Sequence, residues 1–129
     1  MPFIRRLLTG ATLAGAVLLS ASPVLVHAQA FPSQTIRIIV PYPAGGATDV
    51  AARLLAPRLQ QELKQNVVVE NKPGASGNLG MVTLLQAPAD GHTMAMSLTG
   101  MLSINPVTYS KAGFTAADFT PIARVSLAP

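Results

Sequence analysis

Residues 34–49 read QTIRIIVPYPAGGATD, and the fold turns on them. The run from Gln34 to Val40 is continuous, rich in β-branched side chains and bounded by Pro32 and Pro41, so it reads as a buried strand. Tyr42-Pro43-Ala44-Gly45-Gly46 is turn chemistry. Thr48 or Asp49 can then cap a helix running to about Lys64, with Leu55, Leu59 and Leu63 on one stripe. Pro57 falls inside that helix, where it removes an N–H and crowds the Arg53 carbonyl. A kink or a break is expected there.

Outward from this stretch the same grammar repeats. Residues 67–70 (VVVE) form a second strand, 71–77 a turn, and about 78–86 a short helix. Asp90-Gly91 marks another turn and residues 93–97 (TMAMS) a third strand. Residues 99–118, punctuated by Gly100, Pro106 and Gly113, are expected to be irregular, with a fourth strand centred on 122–125. A β-α-β-α-β-loop-β order with short connections implies an α/β unit with a largely parallel sheet and right-handed crossovers. Met94, Met96 and Met101 are expected in its core.

The 129 residues hold nine Lys and Arg against five Asp and Glu, two His and no Cys. Roughly 100–200 residues make a domain, so one domain is the ceiling. Without Cys there is no disulfide framework, thiolate metal site or cysteine nucleophile. Arg5 and Arg6 stand before an apolar run over 7–19, followed by Val26-His27-Ala28 and Ala28-Gln29-Ala30. Charged start, apolar middle and small-residue cleavage patterns make residues 1–30 a secretory signal peptide, with Ala30 preferred over Ala28 as the last residue removed. The rival is a membrane anchor, since residues 7–26 reach the length of about 20 that a bilayer needs. Thr9, Thr12, Ser20, Ser22 and Pro23 dilute it. Beyond residue 30 the charge balance is seven against five, too mild for a nucleic-acid surface. The expected product, 31–129, is exported and free of the membrane once the leader is removed.

Three segments could hold a ligand. At 40–49 a strand runs into a helix; Gly45 and Gly46 let the backbone approach a ligand closely, and the helix start presents unpaired N–H groups suited to a carboxylate or phosphate. An ordinary turn with Thr48 or Asp49 as cap is the alternative. At 70–80, ENKPGASGNLG spaces Gly74, Gly77 and Gly80 by three, but it is neither a dinucleotide fingerprint nor a P-loop. Close packing of a helix on a strand accounts for it. At 97–105, Ser97, Thr99, Ser103, Gly100 and Asn105 offer neutral donors and acceptors. With strand order 2-1-3, the crevice at the carboxyl ends of strands 1 and 3 pairs 42–49 with 97–105 and leaves 74–80 towards an edge.

Catalytic chemistry is thin. His92, the only histidine after the leader, is expected to be a solvated turn residue, and Asp49, Glu62, Glu70, Asp90 and Asp118 show no paired or metal-binding spacing. Asp49 and Asp118 read as helix-start residues, and Lys72 as a surface lysine. No Ser lies in G-x-S-x-G, and no cofactor is implied.

The succession VPYPAGGATDVAARLLAPRL, VVVENKPGASGNLG, ADGHTMAMS, INP and FTPIARV resembles the Bug family, the periplasmic receptors of tripartite tricarboxylate transporters. The resemblance implies an α/β, type II periplasmic-binding-protein-like lobe with a mainly parallel sheet, incomplete because a second lobe is missing. Residues 31–129 would be the N-terminal part of lobe one. It implies no enzyme activity, metal or cofactor, a periplasmic location, a small carboxylate ligand (di- or tricarboxylate, aromatic acid or amino acid), and membrane components of the transporter as partners. The ligand-clasping segments of the family fall on Tyr42, Ala44, Gly45, Gly46, Thr48 and Asp49, and on Ser97, Thr99, Gly100 and Asn105. Asp49, being acidic, is expected to cap the helix or orient Thr48 rather than meet a carboxylate, and 71–77 is carried over as structural. A stand-alone exported interaction module, or half of an anion-binding enzyme, are the competing readings.

Overall fold

The computed structural model describes residues 30–126. The expected leader up to residue 29 and Leu127 lie outside the described residues. Three strands, β1 (Ile36–Val40), β2 (Val67–Asn71) and β3 (Thr93–Ala95), form one sheet in the order β2-β1-β3, with both pairings parallel. This is the order assumed in placing the crevice. Being central, β1 is covered on both faces, which is why its run of Ile and Val does not alternate with polar residues. Ile36, Ile38, Ile39 and Val40 are all at most 1% exposed. Each such aliphatic side chain contributes about 1.5–3 kcal/mol on burial.

Strand periodicity sends Ile36, Ile38 and Val40 to the face covered by α1 (Ala47–Leu63), where they pack with Ala52, Ala56 and Val67. Leu59, Leu63, Val69, Met94 and Met96 complete that cluster. The innermost residues of α1 are thus alanines, which let the helix approach the sheet closely, while the three leucines of the expected stripe are half-buried. Pro57 does not break α1, which runs through it without interruption. Pro57 and Arg53 both lie on the exposed side of the helix, away from the core. Lys64 ends the helix in the left-handed conformation (φ 53°).

On the opposite face, Met81, Met101, Ala112 and Phe114 form a second cluster with Val82, Ala95, Leu102 and Phe119 around it. Met81 comes from α2 (Asn78–Leu85), shorter by one residue than expected. All three methionines singled out in the sequence are in or against these clusters.

Four expectations are corrected. Strand β3 ends at Ala95 rather than Ser97, although the Met96 N–H still donates to the Ile39 carbonyl at 2.9 Å. The segment expected to be irregular holds two short helices, α3 (Thr99–Ser103) and α4 (Asn105–Thr108). Pro106 sits in the first turn of α4, where a proline lacks nothing the helix needs. No strand forms over 122–125 among the described residues; Ile122 and Val125 are exposed, and β3 pairs only with β1. His92 is buried, not solvated: its Nε2 accepts the Ser33 N–H at 3.1 Å and Phe31 packs over its ring. The turn is covered because residues 31–34 cross it before entering β1. Asp118 does act at a helix start, closing a capping box with Thr115 around the short 3-10 turn Ala116–Asp118.

Candidate functional site

The carboxyl ends of β1 and β3 open onto a groove of about 440 Å³ lined by Tyr42, Ser76, Leu98, Gly100, Met101, Ile104 and Asn105. It lies where the 2-1-3 order predicts a crevice. Each wall is set by a local network.

The first wall is the turn after β1. Gly45 holds φ +83°, a conformation that costs a residue with Cβ but not glycine. Gly46, not Thr48 or Asp49, is the N-cap of α1, and no side chain caps it. Asp49 instead sits in the first turn of α1, 2% exposed, and its carboxylate reaches back to accept the Gly45 N–H at 2.8 Å. It also accepts from Arg53 Nε at 3.0 Å and from Asn71 Nδ2 at 2.9 Å. Arg53, then Gly45 and Asn71, hold its pKa down at about 2, against an ordinary 3.8. Asn71 closes the circuit: its Nδ2 donates to the Tyr42 carbonyl at 3.1 Å, and its Oδ1 accepts from Arg53 at 2.9 Å. The end of β2 thereby fixes the turn after β1. Tyr42 is half-buried between the two core clusters, and that burial raises the pKa of its phenol.

The second wall is the segment after β3. Leu98 precedes α3, and the Met101 N–H donates to the Leu98 carbonyl at 3.0 Å. Asn105 Nδ2 donates to the Ser76 carbonyl at 3.1 Å and to Asn78 Oδ1 at 2.7 Å. These bonds bring in a third element. Residues 74–77 all have positive φ, including the non-glycines Ala75 and Ser76, so the loop stands in a left-handed turn. Ser76 Oγ lies 2.6 Å from the Tyr109 hydroxyl. The segment expected at an edge of the lobe therefore contributes to the groove. The expected close helix–strand packing is present too, at Gly80, where α2 lies against Pro41.

Of the residues singled out in the sequence, Tyr42, Gly100 and Asn105 line the groove. Ala44, Gly45 and Gly46 are exposed on the turn, Thr48 is half-buried in the first turn of α1, and Asp49 points into the protein. Ser97 donates to the Leu98 carbonyl, and the carbonyl of exposed Thr99 accepts the Ser103 hydroxyl. Leu98, Met101 and Ile104 carry no polar signal in the sequence that marks them as site residues, and Ser76 reaches the groove only through the left-handed turn 74–77. Lys72 lies 3.9 Å from Glu70, which Arg37 also engages at 2.7 Å. No cluster of three or more His, Cys, Asp or Glu is placed to hold a metal among the described residues.

Residues 51–129 match the model of the tripartite tricarboxylate transporter family receptor. The chain belongs to that family. It is 38% identical over 109 residues to the protein BugT of Bordetella pertussis, covering 81% of this chain and 32% of BugT. Among solved structures it resembles the periplasmic binding protein BugD, with 35% identity and a TM-score of 0.63 over 67% of this chain and 28% of that one. An R. palustris protein solved with adipate gives 34% identity and a TM-score of 0.63 over 67% and 29%. MatC from Rhodopseudomonas palustris with bound malate gives 31% and 0.60 over 70% and 31%. The α/β lobe with its parallel sheet is therefore that of these binding proteins. The chain spans about a third of the length of the curated relatives it matches. The family consists of receptors rather than enzymes, and no helix among the described residues is long and apolar enough to cross a membrane.

Proposed function

We propose that this chain supplies the ligand-clasping wall of an exported solute receptor, which captures a small carboxylate and delivers it to the membrane components of a tripartite tricarboxylate transporter. The observation that carries the reading is the groove at the carboxyl ends of β1 and β3, beside the preset turn 42–46. The turn and the start of α1 lie at the same edge of the sheet as the groove and share Tyr42 with it. The first N–H groups of α1 have no partner within the helix, and its dipole adds about half a positive charge there. A carboxylate is thereby favoured without a cationic side chain. Adipate and malate in two structural relatives support the ligand class. Residues 1–30 act as the leader that takes 31–129 to the periplasm.

The test is a titration of ¹⁵N-labelled protein with sodium succinate, adipate and malate at constant ionic strength. The amides of residues 45–49 and 98–105 shift together on addition of acid and stay unmoved by the corresponding diamides. Shifts scattered over the surface, or equal shifts with the diamides, refute the carboxylate reading.

A further inference from the structure

We infer that Leu98, Met101 and Ile104 form a hydrocarbon subsite, so that the preferred ligand is a linear aliphatic acid whose midsection carries neither charge nor hydroxyl. The inference rests on the carboxylate-receptor reading above and narrows it. Not one of the seven groove-lining residues is charged. The nearby cations already have partners: Arg53 lies on Asp49 and Asn71, while Arg37 and Lys72 lie on Glu70.

The side-chain donors of Asn105 and Ser76 are engaged as well. The Asn105 amide donates to the Ser76 carbonyl and to Asn78, and the Ser76 hydroxyl is paired with Tyr109. A hydroxyl or extra carboxylate on the part of a ligand that lies along Leu98, Met101 and Ile104 would leave water for hydrocarbon, which disfavours it. What the groove does offer is a row of aliphatic groups. Met101, 3% exposed, forms the floor, while Leu98 and Ile104, 52% and 59% exposed, stand at its rims with surface left to cover. They lie three residues apart along the segment that carries α3, so one side of that segment is apolar from end to end. A methylene chain is the occupant that covers these side chains without stranding a polar group.

The experiment compares succinate, glutarate, adipate, malate and citrate against protein labelled in the backbone ¹⁵N and in the Leu, Ile and Met methyl groups. Each methylene buried raises affinity about fourfold, so adipate binds about 15-fold more tightly than succinate. The methyl signals of Leu98, Met101 and Ile104 move progressively along the series. In the double variant Leu98→Asn, Ile104→Thr the dependence on chain length flattens; both positions are exposed, and the amide spectrum reports whether the fold is kept. Should the double variant lose its fold, Ile104→Thr alone is read in the same way. Amide shifts at 45–49 with no dependence on chain length, or citrate binding more tightly than adipate, overturn the hydrocarbon subsite and leave the receptor reading standing. Absence of any carboxylate-induced shift overturns the receptor reading itself.

Discussion

Gly80 holds α2 against the end of β1, and replacing it with alanine puts a number on that contact. A Cβ built there would lie 2.6 Å from the Pro41 Cβ, 2.8 Å from the Pro41 Cα and 3.1 Å from the Lys72 carbonyl oxygen. Carbon atoms in contact prefer about 3.5–4.0 Å, so the overlap is about 1 Å. Two of the three opposing atoms are backbone and the third belongs to a proline ring, so no rotamer change relieves it. Overpacking of this kind costs about 1–3 kcal/mol, and the backbone contacts argue for the upper end. Alanine in place of an interior helical glycine returns about 1 kcal/mol in helix propensity. The net expectation is a loss of about 2 kcal/mol, which lowers the urea midpoint by about 1.3–2 M for a slope of about 1–1.5 kcal/mol/M. Circular dichroism during urea titration reads this directly. Gly100→Ala is the matched control: it is also helical, but its Cβ would meet only Ile104 Cδ1 at 3.5 Å, an ordinary contact, so its midpoint rises or stays level. If Gly80→Ala is as stable as Gly100→Ala, α2 is not seated on Pro41 as described and the reasoning fails.

Three further outcomes follow from the site. Asp49, Glu70 and Asp90 all have pKa values held below their ordinary range, by Arg53, by Arg37 and by the His92 N–H respectively. A lowered carboxylate pKa contributes stability that is complete above the unfolded value and is lost as pH falls through the folded one, so the urea midpoint declines from about pH 4 towards about pH 2. Asp49→Asn lowers the midpoint at neutral pH and makes that acid decline shallower; an unchanged slope would contradict the assignment. Gly45→Ala meets no atom within 4 Å, so its cost is the left-handed backbone alone, about 1 kcal/mol, and Gly45→Asn costs less by the same assay. Asn71→Ala removes the bonds that tie β2 to the Tyr42 carbonyl and to Asp49, at a cost of about 1–3 kcal/mol, and speeds hydrogen exchange at the Gly45 amide. Unchanged exchange there would mean the turn is held by something other than this network.

The sequence made the sheet legible because its strongest signal, the unbroken Ile and Val run of β1, is a direct consequence of burial on both faces. The β-α-β-α-β rhythm implied parallel pairing, but the 2-1-3 order was an assumption, since the rhythm alone does not fix it. Pro57 suggests a break because helix rules penalise it wherever it falls, whereas here it sits on the exposed face of a helix that the sheet holds from the other side. The residues at 122–125 looked like a strand because β-branched side chains favour pleated backbone, yet a strand exists only where an edge pairs with it. His92 looked exposed because its turn is polar in sequence, and only the path of residues 31–34 covers it. Ser76 escaped notice for a related reason. Nothing in ENKPGASGNLG announces that a left-handed turn will carry its serine across to meet Asn105 and Tyr109, contacts 29 and 33 residues away along the chain.

The arrangement of donors at this site also explains why an acidic residue belongs in the first turn of α1. Left free, the Gly45 N–H would compete with the helix start for a ligand oxygen, and the glycine turn would sample several conformations, since glycine loses the most freedom on ordering. Asp49 takes that N–H, and Arg53 and Asn71 balance and orient the carboxylate, so its charge is answered inside the protein. The first amides of α1 are then the donors left at the turn, in one fixed direction. On the proposed receptor reading, a ligand carboxylate would meet a preset turn and a neutral groove, and its ordering would cost little because the polar side chains of the turn are already engaged with one another. Affinity in such a site comes from fit along the ligand's length more than from charge. On the same reading, the wiring that keeps cations out of the groove would make the aliphatic rims at Leu98 and Ile104 the place where one acid is told from another.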